Sequence, residues 1–148
     1  YAADLDGDGD QELLTTDEIQ LAISPNLLLW NRQRDLLVPP AVRGQPWPLT
    51  VWSEPGYATL HHTCRLGIAL TRLPAPLPLP GFGELWLDLG GGYVAFEGVV
   101  LANTGSLTFP LAIPSSSQLL GLPLHVQALV EQARQPARFT AVRSVIVQ

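Results

Sequence analysis

The stretch YATLHHTCRLGIALTR, residues 57–72, decides the fold. Read in steps of two, it sets Ala58, Leu60, His62, Cys64, Leu66, Ile68 and Leu70 on one face and Thr59, His61, Thr63, Arg65 and Thr71 on the other. An extended chain points successive side chains to opposite sides, so this alternation describes a strand with one face in a core and the other toward water. Gly67 marks the place where that strand is expected to bend.

The same period recurs downstream. GELWLDLG (residues 83–90) places Leu85, Leu87 and Leu89 inward and Glu84, Trp86 and Asp88 outward, and GSLTFPLAIP (residues 105–114) places Leu107, Phe109, Leu111 and Ile113 on one face. Pro110 has no N–H to give a ladder, so its strand is expected at an edge or at a bulge. PLTVWSE, YVAFEGVVL, PLHVQALVE and RFTAVRSVIVQ bring the count to about seven strands, the number of a small antiparallel Ig-like β-sandwich. SSSQLLG, residues 115–121, reads as one helical turn.

Composition agrees with an all-β chain. Of 148 residues, 47% are hydrophobic and only 14% charged, and 14 prolines and 13 glycines favour short strands joined by turns over helices. A net charge of −5 supplies no basic footprint for nucleic acid or anionic lipid. Cys64 is the single cysteine, so no internal disulfide forms, and no apolar run is long enough to span a membrane. The chain starts at Tyr1, inside an acidic motif, and reads as a piece of a longer protein.

That motif is DLDGDGDQEL, residues 4–13. Carboxylates this close repel one another unless a cation sits among them. A hard divalent ion takes about six to eight oxygens. Asp4, Asp6 and Asp8 offer carboxylates, Asp10 its carbonyl and Glu12 a closing carboxylate, while Gly7 and Gly9 permit the turns a loop needs to wrap an ion. Calcium (Ca2+) is the expected occupant, because magnesium prefers fewer protein ligands. An EF-hand fails on spacing: its twelfth position is Thr15 rather than Glu, Glu12 falls at the ninth, and ELLTT is strand-like.

The spacing D-x-D-G-D-G-x-x-E before an apolar strand instead resembles the calcium loop of FG-GAP/VCBS repeats, the blades of integrin-type β-propellers, with NLLLWN as the next strand. The resemblance covers residues 1–35 and implies a partial β-propeller blade in which calcium is structural. Residues 44–148 resemble a C-terminal module of secreted planctomycete-type bacterial proteins, through LPLPGFGELWLDLG and GSLTFPLAIPSSSQLLGLPLHVQALV. That likeness implies an extracellular sandwich with no catalytic residue to carry over. Between the two, LLVPPAVRGQPWP sets a linker at residues 36–43.

Other residues read more plainly. His62 and Cys64 share a face, but two ligands are too few for zinc or copper, and that face is otherwise aliphatic, so both belong to the core, with His61 and His125 at the surface. The run Gly90, Gly91 and Gly92 lacks the lysine and helix of a phosphate loop, and Ser115, Ser116 and Ser117 lack a nucleophile elbow. Trp47, Trp52 and Trp86 suggest a sugar-stacking surface as the alternative. The expected function is thus a non-catalytic calcium-binding adhesion, anchoring or spacer module, secreted or at a cell surface. Its expected partners are other domains of a longer parent chain and a surface glycan or protein. The alternative is a carbohydrate-binding or accessory module of an extracellular hydrolase.

Overall fold

Alternation in residues 62–69 becomes the middle of an antiparallel sheet. The computed structural model describes residues 35–53, 62–101, 104–132 and 135–148, together with three short strands at 2–3, 12–15 and 27–29. In chain order the strands are β1 (Ala2–Ala3), β2 (Glu12–Thr15), β3 (Leu27–Leu29), β4 (Leu36–Leu37), β5 (Pro46–Trp52), β6 (His62–Ala69) and β7 (Arg72–Leu79). They continue as β8 (Gly83–Leu87), β9 (Tyr93–Val100), β10 (Ser106–Ala112), β11 (Pro123–Gln132), β12 (Gln135–Phe139) and β13 (Arg143–Ile146). One 3-10 turn, Ser117–Leu119, forms where SSSQLLG predicts it, with the Gln118 N–H donating to Ser116 Oγ. The fold is therefore all-β, and every strand pairing is antiparallel.

Two sheets face each other. One runs β10-β5-β4; the other runs β12-β11-β6-β9, with β13 beside β11. The register lines up Val130, Cys64 and Gly98, then Ala128, Leu66 and Phe96, so each row presents one kind of side chain to one side. Cys64, Leu66, Val126, Ala128 and Val130 meet Trp47, Leu49 and Val51 of the smaller sheet in a continuous buried core. The Phe96 and Phe109 rings, 6.3 Å apart and tilted, join β9 to β10 across it. Gly98 is where β10 comes closest, since a Cβ there would run into Leu107 Cδ2. Each fully buried Val or Leu stabilises the sandwich by roughly 1.5–3 kcal/mol.

The prolines explain the smaller sheet. Pro48 of β5 lies opposite Pro110 of β10, and neither can donate, so the pair sits where the ladder asks for no bond between them. The missing N–H of Pro110 then faces the outside of the edge strand β10, as expected of it. That of Pro48 faces the side on which β4 has already ended at Leu37.

Several expectations need correction. Residues 36–43 do not form a linker free of the sandwich: Leu36 and Leu37 pair with Val51 and Thr50, and Leu36 and Ala41 are core residues. Here prolines terminate β4 rather than separate domains. RFTAVRSVIVQ is not one strand but two, β12 and β13, which lie end to end along β11. The break is at Thr140, whose hydroxyl accepts the Ala128 N–H (3.1 Å) in place of a backbone carbonyl. RLPAPLPL, unread as a strand, forms β7, and Leu89 is exposed rather than inward.

β7 and β8 form a two-stranded third layer that covers the outer face of the large sheet. Leu87 is buried against Gly67, where a Cβ would come within 2.7 Å of Leu87 Cδ1, so glycine here makes room for the third layer rather than a bend. Beside it, Gln127 of β11 is 2% exposed on a face that alternation assigns to water. Its Oε1 accepts the Trp86 N–H (3.0 Å), and its Nε2 donates to Glu84 O (2.8 Å) and Thr140 O (3.0 Å). One side-chain amide thus serves as a piece of ladder between β8 and the break at Thr140.

Replacing Gln127 with Leu is expected to lower stability by about 2–4 kcal/mol, because three backbone groups, that of buried Thr140 among them, lose their partner. Gln127→Glu is expected to cost at least as much, since a carboxylate meets two carbonyl oxygens. Urea titration of both variants checks this, and a loss below roughly 1 kcal/mol would show the clip to be dispensable.

Candidate functional site

The acidic residues come first. β1 and β2 pair with Ala3 opposite Glu12, and β2 pairs with β3 through Leu13–Leu29, so QELLTT and NLLLWN do supply adjacent strands. The segment carrying Asp4, Asp6, Asp8 and Asp10 connects β1 to β2 and lies outside the described residues, as do His61, Ala58 and Leu60. Among the described residues, no three of His, Cys, Asp and Glu gather as metal ligands. No helix there is long and apolar enough to cross a membrane.

His62 and Cys64 are both buried, as the alternation predicts. His62 Nδ1 shares a 2.5 Å hydrogen bond with Ser53 Oγ, also buried, and the pair ties the end of β5 to the start of β6. Cys64 is inert for a different reason. Burial pushes its thiol from 9.0 up to about 12, so it holds its proton and lacks the thiolate that nucleophiles and metal ligands need. His125, half-buried, bonds Ser144 across the ladder (2.8 Å); burial, with Arg72 adding to it, lowers its pKa.

Trp47 and Trp86 are committed to the fold. Trp47 is buried and its Nε1 donates to Pro39 O (2.9 Å). Trp86 is half-buried, its backbone is held by Gln127, and the Arg72 guanidinium lies over its ring at 5.7 Å. A cation over an indole face is attracted by the ring's electrons and occupies the surface a sugar would stack on. The glycine run turns around Asp88, whose Oδ1 accepts the N–H groups of Gly90 (3.0 Å) and Gly91 (3.3 Å), as expected of a strand connection. Ser115, Ser116 and Ser117 are exposed beside the 3-10 turn.

One concave feature went unread in the sequence. A cleft of about 310 Å3 opens between the sheets at the end where β5 starts, walled by Ile68, Leu70, Val94, Phe96, Leu111 and Leu119 among others, all apolar. It can accept a hydrocarbon group but offers no charge to orient a polar substrate. The alternation already assigned Ile68, Leu70 and Leu111 inward; that no residue of the facing sheet fills the space between them is a three-dimensional fact.

The two ends of the sandwich are joined differently. Asp35 O accepts the Trp52 N–H (2.8 Å) at one end of β5, and Asp35 Oδ1 takes Arg143 (3.3 Å). At the other end Gln148 N donates to Ala41 O (2.8 Å) while Arg43 N donates to Gln148 O (3.0 Å), the pattern of a parallel bridge. Gly44, at a φ of 70°, makes the turn into β5 beside that bridge. Comparison of the chain with family models, with curated proteins and with solved structures found no match.

The thiol provides a pH test. Above pH 9 the unfolded chain sheds a proton that folded Cys64 retains, so stability is expected to fall by up to about 1.4 kcal/mol per pH unit from 9 toward 12. Denaturation of the unaltered chain and of Cys64→Ala across this range should differ in slope, the variant losing that component. Alkylation of Cys64 at pH 8 should proceed only as fast as the protein unfolds.

Proposed function

We propose that the chain is a non-catalytic calcium-binding adhesion, anchoring or spacer module of a secreted or cell-surface protein, with other domains of a longer parent chain as its partners. The observation that carries this reading is the path of the chain through the sandwich. Asp35 lies at one pole and Gln148 at the other, and residues 35–43 run alongside residues 143–148 in the same direction. Tension between the poles pulls these neighbouring segments in opposite directions. Their hydrogen bonds, lying across the force, then share the load together instead of opening one by one.

The buried polar groups fit the same reading. Gln127, Thr140 and the Ser53–His62 pair spend their hydrogen bonds on joining layers and strands. The alternating carboxylates Asp4, Asp6, Asp8, Asp10 and Glu12 would hold calcium in the connection from β1 to β2 and brace the strands ahead of the sandwich.

Two measurements test this. Single-molecule stretching through Tyr1 and Gln148 should unfold the sandwich at a higher force than stretching between Ser116 and Gln148, which peels β13 from β11 one bond at a time. Equal forces would remove the mechanical basis. Calorimetric titration with calcium should show one site per chain, lost in Asp6→Ala and in Asp8→Ala; absence of binding heat at millimolar calcium would remove the metal from the proposal.

A further inference from the structure

The edges of β10, β4, β12 and β7 are all blunted. β10 carries Pro110 at its outer side. β4 is two residues long and leads into the segment bonded to Gln148. β12 meets the turn after β7, where Phe82 O takes the Phe139 N–H (2.9 Å). β7 has Pro74, Pro76 and Pro78 at alternate positions, which strips donors from one of its sides. β9 has no such device. It is eight residues long, YVAFEGVV, without proline or lysine, it pairs with β6 along its whole length, and no described strand lies on its other side. A long edge of this kind is a template for another strand. Its exposed Tyr93 (51%), Val94 (58%) and Val99 (48%) are apolar side chains left at the surface.

The sequence of β9 is also complementary to itself. An antiparallel pair about a two-fold axis normal to the sheet must match residues on the same face, so the axis passes through a residue position. With the axis at Phe96, Tyr93 lies opposite Val99 of the second copy, Ala95 opposite Glu97, and Val94 opposite Gly98. An aromatic ring then packs on a β-branched neighbour, and each carboxylate faces a methyl group. With the axis at Glu97 the two carboxylates would stand face to face. The first register also sets Phe96 of the second copy beside Phe96 at the apolar cleft.

We propose that two copies of this chain associate by antiparallel pairing of β9 with β9 about Phe96, joining their five-stranded sheets into one. The pairing is independent of calcium and of the mechanical role. Analytical ultracentrifugation of the 148-residue chain should show a reversible monomer–dimer equilibrium in the micromolar to millimolar range. A95E places two like-charge pairs at the seam and should weaken association by about tenfold or more without changing the circular dichroism of the chain. Adding E97K to A95E turns both repulsions into attractions and should restore the dimer, a rescue that no other register provides. If A95E does not fold, the double variant Tyr93→Cys and Val99→Cys, at exposed positions, should give a dimer-sized band under mild oxidation. A chain that stays monomeric at millimolar concentration, a dimer indifferent to A95E, or the absence of both rescue and cross-link would overturn the proposal.

Discussion

The architecture depends on the buried amide of Gln127. A polar side chain taken out of water is costly unless its hydrogen-bonding groups are met, and here Oε1 and both protons of Nε2 are met by backbone from β8 and from the break between β12 and β13. The demand is reciprocal: Trp86 N–H, Glu84 O and Thr140 O have this one partner in common. The amide therefore fixes where the β7–β8 layer sits, which in turn lets Leu87 settle over Gly67 and makes the outer face of β6 a second, smaller core.

The inner face of the sandwich was legible because it obeys a local rule. Alternation named His62, Cys64 and Leu66 of β6 and Phe109 and Ile113 in and after β10 as buried, and Pro110 announced its edge before any pairing was known. What could not be read locally was the second covering of the large sheet. Gln127 and Gly67 look like a solvated glutamine and a weak point in a strand, and their roles exist only once residues about forty and about twenty positions away, respectively, are folded over them. The same applies to Thr140, whose hydroxyl replaces a carbonyl at a break that no residue type demands. Residues 36–43 misled for a related reason, since prolines stop a ladder equally well inside a sandwich and between domains.

The site was legible in a narrower sense. The assignment of His62 and Cys64 to packing rather than chemistry followed from their aliphatic neighbours, and the geometry adds Ser53 as the partner of His62. The spacing of Asp4 to Glu12 raises calcium only as an expectation of ligand chemistry, with Asp4, Asp6, Asp8 and Asp10 outside the described residues, while the apolar cleft depends on the separation of two sheets and leaves no trace in the order of residues.

The tie between Asp35 and Arg143 spans 108 residues, and the bridge at Gln148 joins segments about as far apart in sequence. Contacts so distant in sequence are slow to form, because the entropy of closing the intervening chain is lost before the contact repays it. During synthesis β5, β6 and β9 emerge well before β11 and β13. The nascent sheet thus waits with two open sides instead of one, and an aggregation-prone stage falls on the ribosome, before β11 and β13 are translated.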